Sequence, residues 1–521
     1  MTGGDPGGAL TAALAELKRR SGLSYEQLGQ KAHLSRSTAH RYCTGRGVPA
    51  TFAPVEAIAI ACRADRDELA RLYRQWERAA LGRTTAPPPE PPPVAAPRSR
   101  HRRTLVALAA VVAVTGLLLG GGGVADPPAE RAEPGITAPM WTTAPRAIEP
   151  EFVGVTINSN TGQMPAFEVG TVRLWNSRTR WQNLEPKRGQ FNWETIERLV
   201  TGAEGDDLPV VFVFGGTPDW ASPNGAKSVF TDGSRAAPPD DLADWERFVR
   251  TVAEKYRGRI GAYELWDMAN HPDFFTGSMA ELVEMTRLAS QAIRKADPEA
   301  EVVCPSMGDL WDPAMLDKLR EFSQLGGFDL CDRGAVKLSA RRDIDPPETM
   351  LPLAREIENA LHGTGIRMWS TGSAYDINTQ PTLDPDRAAD HAVRFFLSGL
   401  YAGYSRMYFY NWGSAKIPIV LQPAGGPHTK AASHVERLHL WLAGSEIRSC
   451  GQGREAGLPD DLWQCRFELG DKEFLIWWTI DQRLEVPAAP GTTSVEDLDG
   501  GSTSVEDTLT VTGSPILLRL G

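Results

Sequence analysis

Aromatic and polar side chains recur just after short β-type runs in the second half of this sequence, and these residue types suit one kind of chemistry. Flat aromatic rings stack on the apolar faces of sugars, while amide, carboxylate and cationic groups bind sugar hydroxyls. Large aromatic rings also fill barrel cores, so each ring has a structural alternative. The candidate ligand-binding residues are Arg173, Trp175, Asn176, Trp220, Trp266, Asp267, Asn270, Lys337, Trp369, Tyr410 and Trp412.

The elements that would position these residues alternate in type. Apolar or β-rich runs occur eight times between residues 151 and 445, and amphipathic helical patterns fill most of the gaps. This pattern predicts a (β/α)8 TIM barrel, whose ligand site lies at the C-terminal ends of the strands. Residues 446–521 alternate around turn residues, which predicts a small C-terminal all-β domain. The eight runs are 152–158, 171–175, 209–214, 262–268, 301–306, 334–338, 367–370 and 406–410.

The words GGTPDWASP, WERFVRTVAEKYRGRIGAYELWDMANHPDFFTGS and YFYNWG resemble the clan-A glycoside hydrolases, and the β-xylosidase-like families are the most similar. The resemblance implies two catalytic glutamates about 5 Å apart, an acid/base after the fourth strand and a nucleophile after the seventh. Met268 stands at the expected acid/base position, and Thr371 or Gly372 stands at the expected nucleophile position. Neither position carries a carboxylate, so we expect a barrel that no longer hydrolyses glycosides.

Other carboxylates are candidates for the missing roles. Asp267 adjoins Met268, but a one-residue step along a strand turns a side chain to the opposite face. Glu264 has the strand parity of Met268, yet it would lie about 13 Å deeper along the strand. A membrane-anchored glycoside hydrolase with relocated carboxylates is therefore the alternative. Three aspartates lie on or near the predicted mouth loops: Asp219, Asp309 and Asp376.

Residues 9–82 have the pattern of an all-α domain. Leu10, Leu14 and Leu17 form one apolar helix face, and Ser24 with Gln27 forms a capping box at the start of a second helix. A third helix follows after a tight corner. Two short helices joined by so brief a turn are typical of the helix-turn-helix, in which the second helix enters the major groove.

The words GLSYEQLGQKAHLSRSTAHRYCTGRGVP and VEAIAIACRADRDELARLYRQW resemble the Cro-like (XRE) family of bacterial helix-turn-helix regulators. The resemblance implies sequence-specific DNA binding, and a net charge of +8 on residues 1–103 also favours a polyanion. A scaffold whose inner domain binds protein is the alternative, because basic surface alone does not specify bases. The candidate DNA-binding residues are Ser35, Arg36, Ser37, His40 and Arg41.

Residues 104–125, TLVALAAVVAVTGLLLGGGGVA, contain no charged residue. A helix of this length covers a hydrocarbon core of about 30 Å, which predicts a single transmembrane helix. The positive-inside rule places the N-terminus in the cytoplasm and the C-terminus outside the cell membrane. The arginines that precede the segment are Arg98, Arg100, Arg102 and Arg103.

Two linkers flank the predicted anchor. Residues 83–103 form a Pro-rich and basic linker, and residues 126–150 form an extracytoplasmic linker rich in Pro, Ala and Glu. Cleavage after Ala125 by a signal peptidase would release the outer part and is the alternative to a retained anchor.

The six cysteines divide between the same two compartments. Cys43 and Cys62 would lie inside, where thiols stay reduced. Four cysteines would lie outside, and we expect disulfides between Cys450 and Cys465 and between Cys304 and Cys331. The residues from 104 onward carry a net charge of −19. No Cys/His spacing suggests a metal, and no cofactor is expected.

These patterns predict a multidomain chain with an all-α helix-turn-helix domain, one transmembrane helix, a TIM barrel and a small all-β domain. The leading hypothesis is a single-pass regulator that binds DNA inside the cell. Outside, an inactive glycosidase-like barrel would sense a carbohydrate or a cell-wall glycan. Because helix-turn-helix proteins usually read paired half-sites, this hypothesis favours a homodimer.

Overall fold

The computed structural model describes residues 6–79 and 136–521. The predicted transmembrane segment 104–125 and the linker 83–103 lie outside the described residues, as does the first part of the linker 126–150. Within the described ranges, no helix is both long enough and apolar enough to cross a bilayer. The described ranges omit residues 33, 35, 46, 48, 50–52, 65–67, 70, 73–74, 77–78, 176, 343–344, 362, 373–381, 416 and 506.

The N-terminal residues form a helical domain with its own apolar core. The predicted face of Leu10, Leu14 and Leu17 is buried. The predicted capping box is also present, since the Gln27 amide donates to Ser24 Oγ at 3.2 Å and the Ser24 amide donates to Gln27 Oε1 at 2.9 Å. The helices of this domain are α1 (Pro6–Ser21), α2 (Tyr25–Lys31), α3 (Arg36–Cys43) and α4 (Ala53–Ala61).

A strand, β1 (Trp141–Ala147), lies where the sequence predicts a linker. It pairs antiparallel with the strand that begins at Glu446, at one edge of the C-terminal sheet. Trp141 Nε1 donates to the Tyr401 carbonyl at 2.8 Å, and the Tyr401 hydroxyl donates to the Pro139 carbonyl at 3.0 Å. The expectation of a linker over 126–150 is therefore corrected for its last residues. These residues are mostly exposed, so no alternation of apolar residues revealed the strand.

The predicted (β/α)8 barrel is confirmed, because all eight predicted runs form strands of one closed parallel barrel in sequence order. The run predicted over 262–268 is shortened to a strand that ends at Glu264. The barrel strands are β2 (Val153–Ile157), β3 (Thr171–Leu174), β4 (Val210–Val213), β5 (Ala262–Glu264), β6 (Glu301–Val303), β7 (Arg333–Val336), β8 (Arg367–Ser370) and β9 (Arg406–Trp412).

Amphipathic helices cover the barrel, and several begin at a capping residue. Ser278 and Glu281 form a reciprocal capping box. Asp384 precedes a proline at the first helical position, and its side chain accepts from the backbone amides of Asp386 and Arg387. The helices are α5 (Trp181–Leu184), α6 (Glu194–Gly205), α7 (Leu242–Lys255), α8 (Met279–Ala296), α9 (Pro313–Gln324), α10 (Met350–Ala360), α11 (Pro385–Tyr401) and α12 (Lys430–Leu442).

The predicted all-β domain follows the barrel. Its main sheet has the order β1-β10-β11-β12-β17-β14-β15, and β13 pairs with β16. Its strands are β10 (Glu446–Gln452), β11 (Trp463–Leu469), β12 (Lys472–Trp478), β13 (Leu484–Pro487), β14 (Thr492–Glu496), β15 (Ser502–Ser504), β16 (Thr508–Val511) and β17 (Ile516–Leu520).

A buried polar junction joins this β domain to the barrel. Trp478 Nε1 donates to Glu348 Oε1 at 2.9 Å, and Arg394 lies 3.4 Å from the same carboxylate. Arg394 also donates to the Thr479 carbonyl at 2.9 Å. Because the two units also share one apolar core, they pack as a single body.

Both predicted disulfides are present. Cys304 pairs with Cys331 at a Cα–Cα distance of 5.5 Å, and Cys450 pairs with Cys465 at 4.1 Å. Cys43 and Cys62 are free and buried in the helical domain. Burial raises the pKa of the Cys43 thiol to about 11, so it remains protonated.

Candidate functional site

A buried network of charged side chains lies where the barrel strands end. The guanidinium of Arg173, on β3, donates from Nε to Glu264 Oε2 at 2.7 Å and from Nη2 to Glu264 Oε1 at 2.8 Å. The same Nη2 donates to Asp267 Oδ1 at 2.6 Å. Arg173 and Glu264 are fully buried, and Asp267 is nearly so. One cation therefore holds two carboxylates close together beneath the surface.

Lys337 completes the network from the opposite side. Its Nζ donates to Asp267 Oδ1 at 2.5 Å, to the Thr371 carbonyl at 3.0 Å and to Thr371 Oγ1 at 3.2 Å. We call Arg173, Glu264, Asp267 and Lys337 the charge quartet. Two cations and two carboxylates make it neutral as a group when all four are ionised.

The fold explains why these residues meet. Arg173 lies on β3 and Glu264 ends β5, while Lys337 immediately follows β7. In a (β/α)8 barrel, alternate strands contribute side chains to the same interior layer. Alternate strands β3, β5 and β7 thus bring Arg173, Glu264 and Lys337 together in the barrel interior, and Asp267 joins them from the segment that follows β5.

The electrostatics of the quartet keep Asp267 ionised. Burial would raise the pKa of Asp267, but Lys337 and Arg173 outweigh burial and hold the pKa below its usual range. Burial and the neighbouring Arg173 lower the pKa of Lys337, while Asp267 and Glu264 oppose that shift. A carboxylate with a depressed pKa has no proton to give to a leaving group, so Asp267 is unsuited to act as a general acid.

The location of Asp267 corrects the strand-parity argument, which turned its side chain away from the mouth. The regular strand β5 ends at Glu264, so the two-residue alternation does not extend to residue 267. Met268 then adopts a left-handed backbone conformation, with φ of 49°. A buried arginine needs anionic partners close to it. Arg173 was therefore the sequence signal that could have located both carboxylates.

Met268, at the expected acid/base position, lies beside Gly308 next to Lys337. A Cβ placed on Gly308 would lie 2.8 Å from Met268 Cε and 3.2 Å from Lys337 Cγ, so both side chains lie against this glycine. The Met268 amide donates to Ser306 Oγ at 3.3 Å. A thioether carries no transferable proton, so this position cannot protonate a leaving group.

The expected nucleophile position also lacks a carboxylate. Thr371 is fully buried, and its hydroxyl and carbonyl both accept from Lys337. A Cβ placed on Gly372 would lie 3.7 Å from Lys337 Nζ, so this residue borders the quartet. Asp376 lies outside the described residues.

The two aspartates that are described on mouth loops each lie beside a cation or an imidazole. Asp219 is 63% exposed and accepts from Arg235 Nε at 3.0 Å. Asp309 is 49% exposed, and its Oδ2 lies 3.6 Å from His271 Nε2.

Several of the predicted sugar-contacting residues lie in the barrel core. Trp266, Trp369 and Trp412 are buried. Asn270 is also buried; it donates from Nδ2 to the Gly308 carbonyl at 2.7 Å and accepts from the Gly308 amide at 2.9 Å. Asn270 thus links the loop after β5 to Gly308, whereas Trp369 fills the barrel interior with the Arg406 guanidinium 4.3 Å from its ring centroid. This burial is the structural alternative that the sequence left open.

Of the remaining predicted residues, Trp175 is also buried, whereas Trp220 and Tyr410 are partly buried. Trp175 is 4% exposed and packs edge-on against Phe230 at 5.6 Å between ring centroids, with the Arg180 guanidinium 5.6 Å from its own ring. Trp220 is partly buried, and its Nε1 donates to the Glu185 carbonyl at 2.8 Å. Tyr410 is also partly buried, whereas Asn176 lies outside the described residues.

The predicted recognition helix is α3. Arg36 and Arg41 are exposed on it, and Arg41 lies 4.9 Å from the Tyr42 ring centroid. His40 is half-buried, with its ring edge-on to Tyr25 at 4.9 Å. Ser37 lies within α3, and Ser35 lies outside the described residues.

Family models match both folded parts of the chain. Residues 9–72 match a helix-turn-helix domain, and residues 183–338 match glycosyl hydrolases family 39. The N-terminal unit is therefore a helix-turn-helix domain. The C-terminal part carries a clan-A (β/α)8 barrel and is a glycoside hydrolase family 39-like domain.

Individual relatives agree with this assignment. A beta-xylosidase of Caldicellulosiruptor saccharolyticus is 30% identical over 103 residues, which are 18% of this chain and 21% of that protein. Endo-1,4-beta-xylanase 2 of Claviceps purpurea is 32% identical over 167 residues, 29% of this chain and 47% of that protein. The chain thus spans about half the length, or less, of these curated relatives.

Solved structures share the fold. A family 39 glycoside hydrolase from Bacteroides cellulosilyticus WH2 is similar with a TM-score of 0.54 at 14% identity, over 72% of this chain and 82% of that one. A family 39 β-xylosidase from Caulobacter crescentus is similar with a TM-score of 0.51 at 11% identity, over 72% and 97%.

The charge quartet predicts a specific loss of stability in Asp267→Asn. We expect the free energy of unfolding of the barrel to fall by about 3–5 kcal/mol at pH 7, because Arg173 and Lys337 keep only Glu264 as an anionic partner. Folding lowers the pKa of Asp267, so its stabilisation is present above the usual pKa of about 3.9 and fades as pH falls through the lower folded value.

Urea unfolding followed by tryptophan fluorescence at pH 7 and pH 3 measures this difference. The gap between wild type and Asp267→Asn should be smaller at pH 3. Asp219→Asn is the matched control, because Asp219 is exposed and its ion pair contributes little. Equal losses in the two variants would contradict the role given to the quartet.

Proposed function

We propose that this protein is a membrane-anchored regulator, in which a helix-turn-helix domain binds DNA and a glycosidase-like barrel binds carbohydrate or cell-wall glycan without hydrolysing it. The observation that carries the proposal is the charge quartet. The carboxylates at the base of the mouth are committed to Arg173 and Lys337. The expected catalytic positions hold Met268 and Thr371 or Gly372.

The neighbouring carboxylates Glu264 and Asp267 are the strongest support for the alternative, a hydrolase with relocated carboxylates. A retaining glycosidase uses two carboxyl groups about 5–5.5 Å apart, one protonated and one ionised. Glu264, however, is fully buried and accepts from Arg173 with both oxygens. The depressed pKa of Asp267 likewise disfavours the acid role. Glu264 and Asp267 therefore lie close together, but both carboxylates are buried and paired with cations, which closes them to a substrate.

Absence of turnover is the first test. We expect the full chain to release no product from aryl β-xylosides, aryl β-glucosides or xylo-oligomers above the level of a heat-inactivated sample, because both expected catalytic positions lack a carboxylate and Glu264 and Asp267 are held by Arg173 and Lys337. Turnover that disappears in Asp267→Asn, or in exposed variants Asp219→Asn or Asp309→Asn, would identify relocated catalytic groups and reject the inactive barrel.

The disulfides support an outer location for the barrel. Disulfides persist in oxidising compartments, and both pairs lie in the barrel and β domain, whereas the described thiols of the helical domain are free. The contact of α4 with the barrel is incompatible with this topology: Ser159 Oγ donates to Glu56 Oε1 at 2.8 Å, and Glu56 is buried with Arg178 and Arg198 nearby. A membrane segment between the two units would abolish that contact, so topology is open to direct measurement.

Labelling of introduced cysteines distinguishes these arrangements. In intact cells, we expect a membrane-impermeant maleimide to label Thr143→Cys, on the exposed face of β1, because that strand would lie outside. Glu26→Cys, an equally exposed position on α2, should be labelled only after the cells are permeabilised. Labelling of both in intact cells, or of neither, would contradict the proposed topology. The native cysteines are buried or in disulfides, which keeps the background low.

DNA binding by α3 is tested by substitution of its exposed arginines. Selection from random duplexes, followed by footprinting, should yield a protected sequence. We expect Arg36→Ala to weaken that binding by about tenfold or more, since an arginine–base contact contributes about 1–3 kcal/mol. Arg19→Ala on α1 is the control, because Arg19 is 75% exposed but off the recognition helix. No protected sequence, together with capture of a specific protein partner, would favour the scaffold.

A further inference from the structure

A second cluster of charged residues lies at the opposite end of the barrel, away from the charge quartet. Arg333, Arg367 and Arg406 are the first residues of β7, β8 and β9, so they share the N-terminal base of the barrel. Glu149 receives all three guanidinium groups, at 3.9 Å from Arg333, 3.5 Å from Arg367 and 2.9 Å from Arg406. One carboxylate is therefore shared by three cations.

Two other glutamates supply the remaining negative charge at the base. Glu301 lies 2.6 Å from Arg333 and 3.2 Å from Arg406, and Glu151 lies 3.6 Å from Arg406. Neither Glu301 nor Glu151 forms an ion pair with Arg367. The side chain of Arg367 is 59% exposed, so it is the least neutralised of the three strand-initial arginines and can be reached from solvent.

Arg146, on β1, adds a fourth cation beside this group. It is half-buried, and among the described residues no carboxylate lies within ion-pair distance of it. Its described side-chain contact is with the Trp141 ring, 6.0 Å from the centroid. Burial and the nearby Arg367 lower the pKa of Arg146, in line with the lack of a carboxylate partner among the described residues. The base thus contains four arginines against three glutamates.

A cavity of about 40 Å³ opens between these cations. A single water needs roughly 10–15 Å³ of such space, so the cavity accommodates a group of a few heavy atoms. Arg146 and Arg367 line it together with Tyr404 and Ser405. Glu149 also lines the cavity, but its carboxylate is already shared by Arg333, Arg367 and Arg406. The Tyr404 hydroxyl and Ser405 Oγ are buried and have no hydrogen-bond partner among the described residues. Burial raises the pKa of Tyr404, so its hydroxyl keeps the proton that it could donate.

We propose that this cavity is an anion site that binds a phosphate group, held by Arg146 and Arg367 and by the hydroxyls of Tyr404 and Ser405. Arginine binds tetrahedral oxyanions with two parallel hydrogen bonds, and an anion would offset the excess positive charge of the base. It would also satisfy two buried hydroxyls, which otherwise carry a desolvation cost.

Two sources of phosphate fit the same chemistry: a free phosphate anion and the headgroup of a phospholipid. Arg146 belongs to β1, the first described strand after the predicted anchor. In the proposed topology, this end of the outer unit is tethered nearest to the membrane. The lipid source rests on the proposed membrane anchor, whereas the free anion does not depend on it.

Phosphate titration of the detergent-solubilised full chain tests the site without reference to the membrane. We expect inorganic phosphate, compared with chloride at equal ionic strength, to raise the unfolding temperature of the barrel saturably. The apparent affinity should fall at least tenfold in Arg146→Gln and in Arg367→Gln. Arg483→Gln is the matched control, because Arg483 is 71% exposed on the β domain and pairs only with Glu485 among the described carboxylates.

Hydrogen exchange of the wild-type chain distinguishes free phosphate from a lipid headgroup, and it needs no variant that could misfold. Slower exchange at residues 146–148 of the wild-type chain on addition of phosphate in detergent identifies the free anion. The same protection in phosphatidylglycerol nanodiscs without phosphate identifies a lipid headgroup. If phosphate stabilises wild type and Arg146→Gln equally, or if neither condition protects these residues, the cavity holds only water and the proposal is wrong. If the proposed membrane anchor is wrong, only the protection in nanodiscs would be lost, and the effect of free phosphate would remain.

Discussion

The charge quartet constrains the barrel mouth more strongly than any other described interaction. A guanidinium as deeply buried as that of Arg173 would destabilise the fold by several kcal/mol if it lacked anionic partners. Glu264 binds it in a bidentate manner and Asp267 adds a third hydrogen bond, which leaves Asp267 to neutralise Lys337 as well. Each member is therefore required by the others, and none can change its charge or move toward a substrate without exposing an uncompensated partner. A catalytic carboxylate must do at least one of these things, so the same interactions that stabilise the mouth oppose hydrolysis.

Neutralisation of the quartet also limits what the mouth can recognise. Opposite charges within a few ångströms cancel much of each other's field outside the barrel. The apolar side chain of Met268 also lies beside Gly308, next to Lys337. An ionic ligand would gain little electrostatic binding energy from these paired charges, whereas the binding of a neutral polyol does not depend on a net charge. Recognition then depends on the exposed and half-exposed groups of the rim, such as Asp309 and His271. In the proposed function, an uncharged glycan therefore suits the barrel mouth better than an ionic ligand.

Sequence patterns located most of the architecture but not the arrangement of the site. Apolar runs predicted all eight barrel strands, because parallel strands are buried on both faces and have continuous apolar sequences. The Ser24 capping box was predictable because its signal is local. The strand β1 was not, since it is exposed and depends on a partner some three hundred residues away. Asp267 was misplaced because strand alternation was extended past Glu264, where the strand ends. Burial of Trp266 depends on a helix that packs against it through Trp245, and burial of Trp369 depends on the closure of the barrel, and residue type alone reveals neither.

Rigidity of the outer unit bears on how the proposed sensor would transmit a signal. The barrel and β domain share one core and are joined by the buried contacts among Glu348, Arg394 and Trp478, while β1 is fixed both to β10 and to Tyr401. Close-packed cores resist continuous deformation, so a ligand at the mouth has little scope to alter the far end of the barrel through internal change. A change in how two outer units associate, or how one lies against the membrane, avoids that difficulty because it moves the unit whole. The strand β1 would then carry this movement directly to the tether, and the helix-turn-helix domain would respond to the proximity of a second copy.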